Sequence, residues 1–306
     1  MKIAVSNEND SVRVVAPQTT NLYSRHADSY DSTFGAAVDP SNERLTADLR
    51  IKPNGRILDL ACGTASSSLA MARLASNGDI VCVDSSEEML SHARERFRKA
   101  EVDAKFINMD LSTYADTGPS EAFDVITLRF GLTYFDWNTV LPRVVRLLRP
   151  GGRLGLVTNL ADSLVQLQQA YRDLVRSPRP AYLLYRESGG NLIDTWRRYR
   201  AIRARFGTPS FIRVPCDLDE MMGVLQDSGL ILQTSWLETR RLFFADGFKV
   251  IDWLFTSGCV AHAPLENIEA GTTVFLQRLF AHALEDFGTR LGVPLDMSIA
   301  GIVLVK

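Results

Sequence analysis

Three acidic residues lie where parallel strands are expected to end. Asp59 falls in the apolar run ILDL, Asp84 closes the run DIVCVD, and Asp110 follows shortly after the run KFIN. A carboxylate placed like Asp84, some 20 residues beyond a glycine turn, can accept two hydrogen bonds from ribose hydroxyls and would repel a 2′-phosphate. An acid at the end of the third strand can accept a bond from an exocyclic amine. Together the three acids predict one binding site.

The segment between the first strand and the next helix consists of small residues. It reads Ala61-Cys62-Gly63-Thr64-Ala65, and small side chains let a ligand approach the backbone of a tight turn. The helix that follows directs its positive end at this turn, which suits an amino acid carboxylate. By itself the segment could also be an ordinary connection. It is not a dinucleotide fingerprint, because alanine and serine occupy positions 61 and 66.

Alternating strands and helices must position these residues. Short apolar runs predict strands at 57–60, 79–84, 105–108, 123–128 and 153–158, with helical spacing between them. This alternation predicts a parallel sheet covered by helices on both faces, with ligands at the carboxyl ends of the strands. Beyond it, further helices are followed by two more strands, which we place at 231–242 and 297–305.

The composition excludes several classes of function. The 34 basic and 36 acidic residues give a formal charge of −2, which does not favour nucleic acid or membrane as a partner. The four cysteines form no C-x-x-C pair, so no metal site is expected. The polar start of the chain and the lack of a long apolar run predict a cytoplasmic protein.

Five segments carry a family resemblance. ILDLACGTA, VDSSEEML, MDL, FDVITLRFGLTYF and LLRPGGRL, which all lie within about residues 55 to 160, resemble class I methyltransferases that depend on S-adenosylmethionine (SAM). They are most similar to the ubiquinone/menaquinone-biosynthesis type. The resemblance implies a Rossmann-like α/β fold with a seven-stranded, mostly parallel sheet, helices on both faces and an inserted helical cap. Residues 1–54 would form a lead-in and lid, and residues 55–306 the SAM-binding domain, with cap insertions at about 160–215 and 243–290.

The resemblance also implies roles for individual residues. Asp59, Ala61 and Gly63 would line the methionine part of SAM, and Asp84 would hold the ribose. The full set expected to contact the cofactor is Tyr23, Asp59, Ala61, Gly63, Asp84, Ser85, Met89, Asp110, Leu111 and Arg129. Alanines 61 and 65 replace glycines that are common in this family, and their small size still allows SAM to bind.

Methyl transfer from a sulfonium needs mainly alignment, because the donor is already activated. A base is required only where the acceptor must lose a proton. We expect the catalytic candidates to be His26, in the lead-in that folds over the cofactor, His262, in the cap segment GCVAHAPLE, and Tyr134, after the fourth strand. Tyr23 and Tyr30 are further candidates.

The acceptor is expected to be a small molecule that is methylated on oxygen or carbon, such as a secondary metabolite or a quinone-like compound. Residues 171–213 contain ten arginines and three acids, which indicates either a solvated helix face or a site for an anionic acceptor. The extra helices are also candidates for a homo-oligomer interface. The alternative function is a SAM-binding enzyme that catalyses a rearrangement or cyclisation without methylation.

Overall fold

A computed structural model describes residues 16–188, 190–205, 215, 217–257 and 270–306 of the chain. The strands are β1 (Arg56–Leu60), β2 (Asp79–Asp84), β3 (Lys105–Asn108), β4 (Phe123–Arg129), β5 (Leu148–Asn159), β6 (Ile231–Phe244) and β7 (Val293–Val305). The helices are α1 (Ala16–Tyr30), α2 (Ala36–Asp48), α3 (Ser66–Leu74), α4 (Glu87–Lys99), α5 (Leu111–Thr117), α6 (Trp137–Leu147), α7 (Val165–Arg176), α8 (Arg179–Ser188), α9 (Leu192–Arg205), α10 (Leu218–Leu225), α11 (Gly247–Thr256) and α12 (Ala270–Leu284).

The seven strands form one sheet in the order β3-β2-β1-β4-β5-β7-β6. Strands β1 to β5 run parallel, whereas β7 is antiparallel to both of its neighbours. The order reverses between β1 and β4, where Leu58 of β1 pairs with Val81 on one side and Ile126 on the other. The fold class predicted from the sequence is confirmed, and the reversal places a ligand crevice at the carboxyl ends of these strands.

Hydrophobic side chains cover both faces of the sheet. Along β1, Ile57 packs with α2 and α3 on one face, while Leu58 and Leu60 pack with α5 and α6 on the other. Trp137, at the start of α6, is fully buried in the second of these cores. Strands buried on both faces are typical of parallel sheets, which explains the continuous apolar runs in the sequence.

The fifth strand begins earlier than predicted, at Leu148 instead of Arg153. The segment Pro150-Gly151-Gly152 lies within β5 as an irregular stretch between the pairs Phe123–Leu148 and Val125–Arg153. Gly151 has a left-handed φ of 74°, and its N–H donates to the carbonyl of Lys306 at 2.7 Å. The irregular segment is therefore held by the end of β7, a contact far away in the sequence.

Helices α7, α8, α9, α11 and α12 pack together beside the sheet, and we call them the cap. The rings of Tyr171 on α7 and Phe280 on α12 lie 4.2 Å apart. Gln166 on α7 joins the cap to β7, because its side chain donates to Asp296 at 2.8 Å and accepts from the backbone N–H of the same residue at 2.9 Å. The cap is thus attached to the antiparallel side of the sheet.

Candidate functional site

A cavity of about 780 Å³, including its open mouth, lies at the carboxyl ends of β1, β2, β3 and β4. The residues that line it are Tyr23, Tyr30, Phe34, Ala61, Gly63, Val83, Asp84, Ser85, Ser86, Met89, Met109, Asp110, Leu111, Arg129, Phe130, Gly131, Tyr134 and Phe135. Nine of the ten predicted cofactor residues are in this set, and the exception is Asp59.

Asp84 lies at the end of β2 with its carboxylate fixed by backbone donors. The N–H of Gly63 donates to one oxygen at 2.8 Å, and the N–H of Ser86 donates to the other at 2.9 Å. Burial raises the pKa of Asp84 above its ordinary value, and these backbone bonds partly lower it again. The carboxylate therefore links the turn after β1 to the start of α4 and faces the cavity between them.

The turn after β1 has an unusual backbone. Ala61, Gly63 and Ala65 all adopt a left-handed φ, at 52°, 56° and 57°. A Cβ built on Gly63 would meet no atom within 4 Å, whereas one on Gly131, in the turn after β4, would lie 3.1 Å from the Cβ of Ala61. The turn thus leaves open space at Gly63 for a ligand and packs closely against the next turn at Gly131.

Asp59 is part of a buried polar cluster beneath this turn. One carboxylate oxygen accepts from the hydroxyl of Thr127 at 2.7 Å. The other accepts from the guanidinium of Arg129 at 2.5 Å and from the hydroxyl of Ser68. The side chains of Asp59 and Arg129 are 1% and 8% exposed. The carboxylate of Asp59 and the guanidinium of Arg129 are paired with each other. Asp59 therefore stabilises the turn and does not line the cavity.

The residues after β2 and β3 combine capping with cavity lining. Asp110 is the N-cap of α5, and its carboxylate accepts from the N–H of Ser112 at 2.9 Å. Ser86, rather than Ser85, is the N-cap of α4, since its hydroxyl accepts from the N–H of Met89 at 3.2 Å. Met89 is buried, as is Leu111. Both residues line the cavity beside Asp84 and Asp110.

Helix α1 lies across the mouth of the cavity. The hydroxyls of Tyr23 and Tyr134 contact each other, and Ser24 bonds to the hydroxyl of Ser86 at 2.9 Å. At the end of α1, Asp31 accepts from the hydroxyl of Thr64 at 2.5 Å and pairs with Arg96. Tyr23 was among the predicted site residues, whereas Ser24 and Asp31 were not, since no local pattern marks polar residues whose partners lie far along the chain.

The structure places some of the predicted proton-transfer residues at the cavity and others away from it. Tyr134 and Tyr30 line the cavity, and burial raises the pKa of Tyr30 well above its usual range, so its hydroxyl stays protonated. His26 lies on α1, half-buried, and does not line the cavity. His262 lies outside the described residues.

Aromatic rings extend from the cavity toward the cap. Phe130, directly after β4, packs edge-on against Phe34 with centroids 5.7 Å apart. Phe34 lies 6.4 Å from Trp253 on α11, which in turn lies 5.7 Å from Phe244 at the end of β6. Of these four rings, Phe34 and Phe130 line the cavity, and Trp253 and Phe244 continue the row of ring contacts behind them.

The arginines of the cap point elsewhere. The side chains of Arg197 and Arg198 are 76% and 51% exposed, and Arg179 pairs with Asp286 at 2.7 Å. None of the described arginines of residues 171–213 lines the cavity. Of the two interpretations of this segment, the described part therefore favours a solvated face over an anion site for the acceptor.

Comparison with known proteins finds a family that matches the segment containing this site. Residues 57–152 match a family described as "Methyltransferase domain". This segment is a methyltransferase domain. It runs from β1 into β5 and contains the turn and the acids described above. The resemblance to class I SAM-dependent enzymes is thereby confirmed, with SAM as the cofactor of the domain.

The methyltransferase domain also has named relatives. The chain is 29% identical over 139 residues to a demethylmenaquinone methyltransferase of Listeria welshimeri, which covers 44% of this chain and 57% of that protein. It is 34% identical over 140 residues to the one of Thermus thermophilus, covering 44% and 62%. The chain therefore matches about three-fifths of the length of these relatives.

A solved structure supports the fold over a longer range than the methyltransferase domain alone. A protein of Bacillus halodurans C-125, described as a candidate methyltransferase, superposes with a TM-score of 0.54 at 18% identity. The superposition covers 87% of this chain and 98% of that one. In the part of the chain that the structure describes, no helix is long and apolar enough to cross a membrane, and no cluster of ligating side chains could hold a metal ion.

Proposed function

We propose that this chain transfers the methyl group of SAM to an oxygen or carbon of a small, mainly apolar acceptor, of the secondary-metabolite or quinone-like class. One observation carries the proposal: the cavity that holds Asp84 and the open turn at Gly63 is also lined by the aromatic rings of Phe34 and Phe130. Carboxylates can accept hydrogen bonds from a nucleoside, and aromatic rings can pack against an apolar acceptor. The same cavity therefore offers polar contacts for a donor and apolar contacts for an acceptor.

The residues around the cavity fit SAM at each of its parts. Asp84 has the position to accept from the ribose hydroxyls, and Met89 and Leu111 flank the place of the adenine. Asp110 keeps one carboxylate oxygen beyond its capping bonds for the adenine amine. The open space at Gly63 suits the methionine part. When bound, SAM would supply an activated methyl group on a positively charged sulfur, and S-adenosylhomocysteine would be the leaving group.

The hydroxyls at the cavity mouth are suited to orient the acceptor. Tyr30 stays protonated because of its burial, so it donates a hydrogen bond and does not act as a base. Tyr23 and Tyr134 contact each other at the same mouth and can position an acceptor oxygen. In this proposal Tyr134 touches the acceptor, whereas His26 acts only through the placement of α1.

Helix α1 serves as the lid in this proposal. It spans the cavity mouth and is held there by Tyr23, Ser24 and Asp31. The π-helical turn Asp31–Gly35 connects it to α2, whose Leu45 is fully buried in the core. Helix α1 would thus move as a cover, while α2 stays with the sheet.

The test measures what happens to SAM. The protein is incubated with SAM and a panel of phenols, quinols and isoprenoid diphosphates, and S-adenosylhomocysteine and methylated products are measured by mass spectrometry. Methyl transfer predicts equal amounts of both, and Asp84→Ala should abolish them. A product that forms with no consumption of SAM would instead establish the alternative, a rearrangement or cyclisation. That alternative gains no support from the two curated relatives, which are both named as methyltransferases.

A further inference from the structure

The outer surface of the cap carries large apolar side chains in solvent. Tyr182 on α8 is 56% exposed, and on α9 Leu192, Ile193 and Trp196 are 52%, 69% and 44% exposed. Three of the four, Tyr182, Leu192 and Trp196, line a shallow groove between the two helices. We call these four residues the α8–α9 surface. Apolar patches of this kind mark an interaction site more often than single exposed residues do.

The fold does not need this surface for its own core. Helix α9 is anchored by Thr195 and Tyr199, which are 8% and 2% exposed, and the ring centroid of Tyr199 lies 5.4 Å from that of Trp196. The hydroxyl of Tyr199 donates to the carbonyl of Leu174 at 2.6 Å, which ties α9 to α7. Ile193 and Trp196 therefore project from a helix that is already packed.

Positive charge lies beside the apolar residues. Arg197 and Arg200 occur at the helical spacing that places them on the same face as Ile193 and Trp196. Arg197 has only a distant ion pair, 3.9 Å from Asp194, and within the described part of the chain no ion pair is found for Arg200 or for Arg186 on α8. These cations are available to an anionic partner.

The combination of exposed apolar side chains and arginines favours some classes of binding partner over others. A second copy of the chain would bring two basic faces together, which is unfavourable. An RNA would match the arginines but would leave Ile193 and Leu192 against a polar backbone. A membrane with anionic lipids matches both parts, because apolar side chains insert at the boundary of the acyl region while guanidinium groups meet phosphates. We propose that the α8–α9 surface docks on an anionic membrane surface.

The proposal concerns the face of a bilayer and involves no membrane span. The sequence-based expectation of no membrane partner used the total charge of −2, and that total averages a basic cap with a more acidic remainder. Docking is independent of methyl transfer, so the two proposals can fail separately.

The experiment uses the full chain and vesicles of two compositions, pure phosphatidylcholine and phosphatidylcholine with phosphatidylglycerol. In a flotation assay at moderate salt, the protein should float only with the anionic vesicles. Trp196 is the most exposed of the four tryptophans, so its emission should shift to the blue on binding and Trp196→Phe should remove most of the shift. Arg197→Gln with Arg200→Gln should lower the partition coefficient about thirtyfold, at about 1 kcal/mol per arginine. Ile193→Ser with Trp196→Ala should lower it at least tenfold.

Matched controls come from α3. Arg73→Gln with Leu74→Ser removes one exposed arginine and one apolar side chain that is 49% exposed, and binding should be unchanged. SAM binding and the melting temperature report whether each variant is folded.

Three results would overturn the proposal. The first is a wild-type protein that fails to float with anionic vesicles. The second is binding that persists in the Ile193/Trp196 variant, which would reduce the contact to charge alone. The third is a dimer that the same variant dissociates, or an RNA complex that the arginine variant weakens, in the absence of vesicle binding.

Discussion

Arginine occurs in two opposite settings in this molecule. At the strand ends, Arg129 is buried beside Asp59, and in the cap, Arg197 is exposed with only a distant acid. The buried guanidinium has its position dictated by a partner and stabilises a turn. The exposed one contributes little to the fold and remains available to other molecules. Arginine therefore has a structural role where it is buried beside an acid, and it can recognise another molecule where it is exposed.

The largest effect on the unfolding free energy is expected at Arg129. Arg129→Met leaves the buried carboxylate of Asp59 without its counter-charge, which costs about 3–5 kcal/mol of unfolding free energy. Denaturant titration measures this cost. Arg94→Met, which breaks an exposed pair with Glu87, should cost less than about 1 kcal/mol. Adding Asp59→Asn to the first variant should recover part of the loss, and no recovery would mean that the pair is not the cause.

The next effect concerns the cofactor. Asp84→Ala removes the carboxylate proposed to accept from the ribose, and two charged hydrogen bonds correspond to about a hundredfold in the dissociation constant of SAM. Calorimetry measures it. The control is Asp79→Ala at the opposite, exposed end of β2, which should bind SAM like the wild type. Equal affinity of the Asp84 variant and the wild type would exclude Asp84 from the cofactor site.

A smaller effect concerns Asp296, the carboxylate on β7 to which Gln166 of the cap is bonded. Asp296 accepts from Arg241 at 2.6 and 2.8 Å and from Gln166, and these bonds lower the pKa of Asp296 below its ordinary value. The ion pair therefore stabilises the fold at neutral pH, and its contribution is lost as the pH falls through the lowered pKa. Because Arg241 is half exposed, Arg241→Met should cost only about 1 kcal/mol at pH 7.

The pH dependence provides the decisive part of that measurement. The difference in unfolding free energy between the wild type and Arg241→Met should shrink toward zero in acid. Lys249→Met, at a weak exposed pair with Asp252, is the control and should show no difference at either pH. A gap that stays constant in acid would mean that Arg241 acts through packing.

The sequence predicted the strand-end half of the molecule well. The bounds of β2 and β3 agree with the predicted runs, and Asp84 and Asp110 lie at the cavity as expected. These features depend on local rules, since a strand pattern and a capping acid each occupy only a few adjacent residues. The inward orientation of Asp59 was not predictable, because it depends on Arg129, 70 residues further along the chain.

The cap was harder to predict for the same physical reason. The sequence of α9 shows many arginines but not which face of the helix is buried. That face is selected by Tyr199, whose partners are carbonyl groups of another helix. Likewise, a lid over the cavity was expected only from the family resemblance, and its contacts were not predictable, since Ser24 and Asp31 contact residues of α4 and the turn after β1.

The smallest expected effect concerns the strained turn. Ala65 holds a left-handed φ of 57°, which costs an alanine about 1–2 kcal/mol, whereas glycine adopts it freely but loses more entropy on folding. Ala65→Gly should therefore raise the unfolding free energy by less than about 1 kcal/mol. Ala72→Gly within α3 should lower it by about that amount. A loss of stability in both variants would show that the left-handed backbone is not strained.

The position of α1 has a consequence for turnover. With α1 across the mouth, the proposed lid would have to open for SAM to enter and for S-adenosylhomocysteine to leave. Each catalytic cycle would then include two movements of this helix about Asp31–Gly35. We therefore expect the steady-state rate to depend on how often Tyr23 separates from Tyr134. The first turnover should be faster than those that follow, and the slower phase should respond to solvent viscosity.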